Sequence, residues 1–544
     1  MLRRILLLGA ALAAVLSLSA VPTRPAIPDT TIDATAHGVV GDGRTDNTAA
    51  LQKLFDDTSA GGGGRIVLPA SEQAYLAGPL NLRSKVELHL AKGATLSPLP
   101  YGGGSNAPGT YPLSGERYTN FLTASKVTDF AITGQGTIEG NGQAWWDAFR
   151  ANKKMPPRPY LVRIIGCERV LLSGVTFSNS PMFHVGFHTT NHVTVEGVTV
   201  RAPDDSPNTD GIDPAGSHYL IRNCDISTGD DNIAVKAGNT YCSDIVIVDC
   251  VFGNGHGVSI GGQTNSGLDG MLVANCTFNG TNSGIRMKAD PTQGGPVRNV
   301  TFTNLTMNGV KYPIAFYSYY NKVGNPGAGK HLPPVAAEWN ANPPNPLDTP
   351  TLPSWRNITV KDVVINNGNN YSVIWGLPHA EGFIGELRFI NVRYTGRRGL
   401  LFYNVDDAVF ANVGIQIEKD GPPVTTYNSL VITRQPPSQR AEKGGSVTFE
   451  TAAVGGPGAK SVTPSYQWYF DGQPLADGRR PDGTVVAGAA TAKLVLSDIQ
   501  ATAAGRYTVS ASVPLDLYDP VAKKLIPGGK AAKANSITAM LAVP

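Results

Sequence analysis

A phrase of ten residues recurs along the middle of the chain, and it restricts the fold more than any other feature. Apolar alternation, then Asn, Gly or Asp, then a small apolar residue is read in ERVLLSGVTF, NHVTVEGVTV, HYLIRNCDIS, DIVIVDCVFG, GMLVANCTFN and NVTFTNLTMN. The apolar landmark falls at Val175, Val198, Cys224, Cys250, Cys276 and Leu305, in steps of 23, 26, 26, 26 and 29 residues. RNITVKDVVI and GELRFINVRY extend it to Val363 and Val392. Each step holds short period-two segments broken by turns. That is too little for a domain but suits one coil of a parallel solenoid, whose neighbours cover each other's apolar faces. The expected fold is all-β, with a right-handed parallel β-helix over residues 30–420.

The remaining features agree with a turn-rich folded chain. Charged residues are 16% of the 544, and glycine (62) and proline (40) together make about a fifth. A formal charge of +3 without a polybasic run argues against a nucleic-acid binder that works by neutralising phosphates. Five cysteines cannot form a dense disulfide framework. Cys224, Cys250 and Cys276 share one repeat column and are expected as a buried ladder of thiols, with pairing of Cys242 left open. Residues 1–20 carry Arg3 and Arg4, an apolar stretch and small residues, the pattern of an export signal, with a membrane anchor as the alternative. A secreted or periplasmic monomer without membrane attachment is therefore expected. GDGRTDNTAALQKLFDD supplies a capping helix for the first coil, with Asp46 or Asn47 at its start and Ala50, Leu51, Leu54 and Phe55 on one face. The run Gly61 to Gly64 precedes a strand and is read as a turn, not a phosphate loop.

The repeat stops near residue 420, and the polar linker GPPVTTYN follows it. VTFETAAVGG, SYQWYFDG, KLVLSDI and AGRYTVSASV then have the order and spacing of a small immunoglobulin-like sandwich over residues 429–544. Trp468 is the expected core tryptophan and Tyr507 the tyrosine-corner residue, while Thr451 and Val509 stand where antibody domains carry cysteines. The module is read as a spacer or as a carbohydrate- or wall-binding unit.

Four successive coils interrupt the repeat with polar residues at one place: SPNTDGIDP, TGDDNIAVKAG, GHGVSIG and SGIRMKAD. Aligned on Gly211-Ile212, Asn232-Ile233, Gly257-Val258 and Gly284-Ile285, they put Asp210, Asp231, His256 and Ser283 in one column. Arg286 and Lys288 follow on a shared strand face. Stacked carboxylates repel and raise one another's pKa, so such convergence is costly as mere scaffold. Adjacent Asp230 and Asp231 reach one cleft only if the backbone bends, which Gly229 permits. Paired carboxylates beside cations are what glycoside hydrolysis needs: one acid for the leaving oxygen and one group to activate water.

NTD (Asn208 to Asp210), GDD (Gly229 to Asp231), GHG (Gly255 to Gly257) and Arg286-Met287-Lys288, in this order, closely resemble the four signatures of the polygalacturonase family, glycoside hydrolase family 28. Met287 replaces the commoner isoleucine. The resemblance implies an inverting hydrolase of α-1,4-linked galacturonate in pectic polysaccharide, working without a metal or other cofactor. It implies Asp230 as general acid, Asp210 and Asp231 as the pair that positions and deprotonates water, and His256 as partner of the acid. Arg286 and Lys288 would grip a substrate carboxylate, with Asn208 and Tyr319 or Tyr320 as further substrate contacts. His184, Lys236 and Trp145-Trp146 are weaker candidates, the tryptophans being read as core packing. Rhamnogalacturonan or xylogalacturonan hydrolysis is the nearer alternative. A calcium-dependent pectate lyase and a non-catalytic glycan-binding β-helix are more distant ones. Segments 102–112 and 325–353 are candidate walls of the cleft ends.

Overall fold

The computed structural model describes residues 21–320, 349, 351–458 and 460–544. The proposed leader and most of the 325–353 segment lie outside them. The chain divides into two compact units, one of residues 1–261 and 266–284, the other of residues 262–265 and 285–544.

The first unit is coiled as the repeat predicts. Glu168–Ser173, Asn191–Glu196, Ser217–Arg222, Cys242–Val248 and Leu268–Ala274 pair in parallel, each landmark phrase stacked on the next. After the turn, Thr176–Ser178, Thr199–Arg201, Asp225–Ser227, Val251–Phe252 and Thr277–Asn279 form a second parallel face. Leu122–Ser125, Val162–Ile165, Val185–His188, Ile212–Asp213, Ile233–Val235 and the strand beginning at Val258 form the third. Left-handed Asn223 and Asn275 (φ 53° and 56°) turn the corner before Cys224 and Cys276, a conformation in which asparagine is favoured. Cys224, Cys250 and Cys276 are buried and unpaired, as are Cys167 and Cys242. The capping helix is Thr48–Ala60, burying Leu51, Leu54 and Phe55, while Ala50 is only half-buried. Asn47 is the N-cap but makes no side-chain cap bond, and Asp46 Oδ1 instead accepts from the Thr48 amide at 2.9 Å, satisfying one amide of the first turn.

The second unit continues the pattern: Pro296–Asn308, Ser354–Gly368 and Gly385–Gly396 on one face, and Tyr312–Tyr317, Ser372–Trp375, Leu400–Tyr403 and Val424–Tyr427 on another, all parallel. Coil strands run past residue 420: Ser429–Arg434 pairs in parallel with Ala408–Ala411 and, on its other edge, antiparallel with Ala452–Gly456 of the sandwich. One ladder therefore joins coil to sandwich. The sandwich core is built on buried Phe449, Trp468, Leu494 and Tyr507, and the Tyr507 hydroxyl donates to the Ala503 carbonyl at 2.9 Å, the corner bond expected of it. Its longest strands, Gly505–Asp519 and Lys524–Asn535, form a hairpin. Tyr518 of that hairpin is buried with Tyr319, Trp375 and Leu377 of the coils, and its amide donates to the Pro378 carbonyl at 2.6 Å.

Candidate active site

The polar column occupies the bends that lead into the third-face strands of the first unit. Ile212, Ile233 and Val258 stack as register partners. The residues before them are tied across coils: the Gly211 amide donates to the Asp231 carbonyl at 2.8 Å, and the Asn232 amide to the Gly257 carbonyl at 3.1 Å. Asp230 and Asp231 precede the strand Ile233–Val235 in a bent segment, so strand alternation does not separate their side chains. Asn232, fully buried, locks that bend to the next coil. Its side-chain amide donates to the Ile226 and Asn254 carbonyls at 3.1 and 2.7 Å, and its Oδ1 accepts from the Gly257 amide at 2.7 Å. Gly257 sits at φ 69°, with the Ser283 and Gly284 carbonyls where a Cβ would be, so only glycine fits between Asn232 and the following coil.

Four expected residues come together here. His256 Nδ1 lies 2.9 Å from Asp230 Oδ1 and 3.6 Å from Asp231 Oδ1. The side chains of Asp230 and His256 are 25% and 24% exposed, whereas Asp231 is 1% exposed, so Asp230 and His256 face the solvent side and Asp231 supports them from below. The Ser259 hydroxyl donates to Asp231 Oδ1 at 3.0 Å. Asp210 is buried and accepts from the Lys236 ammonium at 2.9 Å, and the same ammonium lies 3.5 Å from Asp213. Burial pushes the Asp210 carboxyl up to about 6, with Lys236 pulling it down and Asp230 and Asp231 adding to the rise. Asp213 is driven the same way, well above the usual carboxylate range. Burial opposes the Lys236 charge, but attraction to Asp210, Asp213 and Asp231 outweighs it and raises this lysine. Asp230, Asp231 and His256 each offer one ligand atom within 4.8 Å of the others, a set with the donors for a divalent cation.

The remaining expected residues occupy other positions. Asn208, left-handed at φ 56°, accepts at its Oδ1 from Arg158 Nη2 at 2.8 Å, which fixes the amide. His184 is wholly buried beneath the column, its Nδ1 3.1 Å from the Asp210 carbonyl. Burial pushes its imidazole down to about 4, so it buttresses the backbone as a neutral ring. Trp145 and Trp146 are core residues, as expected; Trp145 packs on Tyr101, Tyr111 and Tyr118. In the second unit, Arg286 and Lys288 are 1% and 5% exposed on the strand Ser283–Ala289, and the Lys288 ammonium lies 5.1 Å over the Tyr320 ring. Tyr319 is 0% exposed, its ring 5.0 Å from Trp375, so it packs within the aromatic cluster while Tyr320 takes the place beside Lys288. Asp213, Ser259 and Arg158 were not singled out from sequence. Asp213 and Ser259 hold one column, the position after the stacked Ile212 and Val258, and that regularity is the signal that reveals them.

Comparison with known proteins agrees with this geometry. Residues 68–332 match the family model of glycosyl hydrolases family 28, and residues 431–512 match an immunoglobulin domain. An endo-polygalacturonase of Pectobacterium carotovorum subsp. carotovorum is 33% identical over 349 residues, covering 59% of this chain and 80% of that protein. The solved polygalacturonase of Erwinia carotovora ssp. carotovora superposes with a TM-score of 0.56 at 26% identity, covering 74% of this chain and 98% of that one. The exopolygalacturonase of Thermotoga maritima, at 21% identity, shares the fold with a TM-score of 0.59 over 76% of this chain and 93% of that one. With its acidic column in place and four-fifths of a polygalacturonase matched by sequence, the chain belongs to glycosyl hydrolases family 28.

Proposed function

We propose that the protein is a polygalacturonase that hydrolyses α-1,4-galacturonosidic bonds of homogalacturonan with inversion, using Asp230 as general acid. The observation that carries this reading is the partly exposed Asp230 paired with His256 at 2.9 Å, above a buried Asp231 and beside a buried Asp210. Asp230 protonates the leaving glycosidic oxygen as the sugar approaches an oxocarbenium-like state, and His256 orients the acid. Inverting enzymes separate acid and base by roughly 6.5–9.5 Å to seat a water. Asp230 and Asp231 offer oxygens within 4.8 Å of each other, too close for that, which favours Asp210 as the base. Asp231, held by Ser259, orients the water. Asp210 is ionised above about pH 6, the form a base needs.

Arg286 and Lys288 bind the carboxylate of a galacturonate unit, Arg286 by a bidentate fork and Lys288 as a point charge. Their burial supports this role, because a desolvated cation discriminates strongly between an acidic sugar and a neutral one. Asn208, fixed by Arg158, keeps its amide NH2 for a substrate hydroxyl. The polymeric substrate lies outside the cell, and residues 1–20 are proposed to direct export there; among the described residues no helix is long and apolar enough to cross a membrane. Proton NMR of the first product tests the mechanism. Inversion of an α-linkage releases the β-anomer before mutarotation, whereas initial α-anomer would overturn it.

A further inference from the structure

We propose that Arg163, seated on Tyr160, is a second carboxylate-binding position of the cleft, taking a galacturonate unit away from the bond that is cleaved. The proposal rests on the polygalacturonase reading and concerns the first unit alone.

Arg163 lies on the strand Val162–Ile165, between fully buried Val162 and Ile164, so its side chain points out of the coil. It shares a register column with Thr123, Gly186 and Asp213. Asp213 stands two strands further on, about 10 Å away by strand spacing, and shares the Lys236 ammonium with the proposed base Asp210. Arg163 is therefore on the strand face that carries Asp213, which Lys236 links to the proposed base.

Three features make the position look built. The guanidinium carbon lies 4.8 Å from the centroid of the Tyr160 ring, which supports the planar group. The intervening strand carries Gly186, where a Cβ would come 2.7 Å from the Tyr160 ring and 2.9 Å from Arg163 Nη1. Any side chain there would have to push aside the Tyr160 ring or the guanidinium that lies on it. Third, Arg163 has neither a hydrogen-bond acceptor nor a carboxylate partner among the described residues, while Arg158, Arg169, Arg201 and Arg222 each have one. Arg163, Asp213, Lys236 and Asp210 all act electrostatically on the Tyr160 hydroxyl, which ties this arginine to the field of the acid cluster.

A galacturonate unit brings one carboxylate, and a supported guanidinium presents two parallel N–H donors to it. An esterified or neutral sugar cannot accept that fork as an anion, so Arg163 adds selectivity for unesterified chain beyond the sugar at the cleaved bond.

The test is steady-state kinetics on a ladder of oligogalacturonides for wild type, Arg163→Gln and Arg163→Lys, with thermal unfolding of each. Arg163→Gln is expected to match wild type on short oligomers and to lose about tenfold or more in kcat/KM from one length upward. Arg163→Lys should recover part of that loss, and the unfolding midpoint should hold. In an Asp230→Asn background, where turnover is greatly slowed, Arg163→Gln should weaken binding of a long oligomer by a similar factor. Equal loss at every length, or none at any, would overturn the proposal. Failure of wild type to act on any oligomer would instead overturn the underlying reading, and is visible before the variants are compared.

Discussion

Lys236 shows how one cation sets the chemistry of a buried acid. Burial lifts Asp210, and the ammonium at 2.9 Å holds the rise to about 6. If Asp210 is the base, kcat/KM climbs with pH through that region, because only the ionised form accepts a proton from water. Lys236→Met removes the cation that pulls the Asp210 pKa down and leaves burial and two acidic neighbours in place. Its acidic limb is therefore expected to move to higher pH by about one unit or more, with most activity retained above it. A pH–rate profile checks this; a limb that stays in place or moves to lower pH would remove Asp210 from the role. The motif acids were legible in the sequence because they interrupt a repeat at one place. Ser259 and Asp213 were not, because each looks like an ordinary strand residue until register puts it under the column. Tyr319 and Tyr320 are adjacent, and only packing assigns the buried place to Tyr319.

At the scale of elements, the coils were readable and the role of the sandwich was not. The landmark steps fixed which strands stack, because one coil's apolar face must meet the next. Nothing periodic connects Tyr518 with Trp375 or Tyr319, which are far apart in sequence and meet only because the hairpin Gly505–Asp519 and Lys524–Asn535 folds back on the coils. The hairpin is held at several points besides: Asn428 Nδ2 donates to the Asp516 carbonyl at 3.0 Å, the Asp516 amide donates to Asn428 Oδ1 at 2.6 Å, and the Lys530 ammonium lies 3.3 Å from Asp406. A spacer on a loose linker has no such contacts. Tyr518→Ala is accordingly expected to cost about 3 kcal/mol, the range for deleting a large buried ring. The loss would appear in chemical unfolding followed through tryptophans of the coil strands such as Trp375. An unchanged midpoint would return the sandwich to the status of a spacer.

In the molecule as a whole, a solenoid scaffold carries a carboxylate cluster, and the proposed hydrolysis draws only on side chains of this chain. Stacking at about 4.8 Å brings residues of successive coils within bonding distance although a whole coil of sequence separates them. The same stacking sets Asp230, Asp231 and His256 in a group with the donors for a cation, so the two chemistries share one set of atoms. The measurement that separates them is release of reducing ends from polygalacturonic acid by wild type and by Asp230→Asn, each with and without a chelator. Metal-free hydrolysis by Asp230 predicts release by wild type that the chelator leaves unchanged, and a fall of about 100-fold or more in a folded Asp230→Asn. Loss of wild-type activity in the chelator, or an Asp230→Asn variant that keeps its rate, would contradict it.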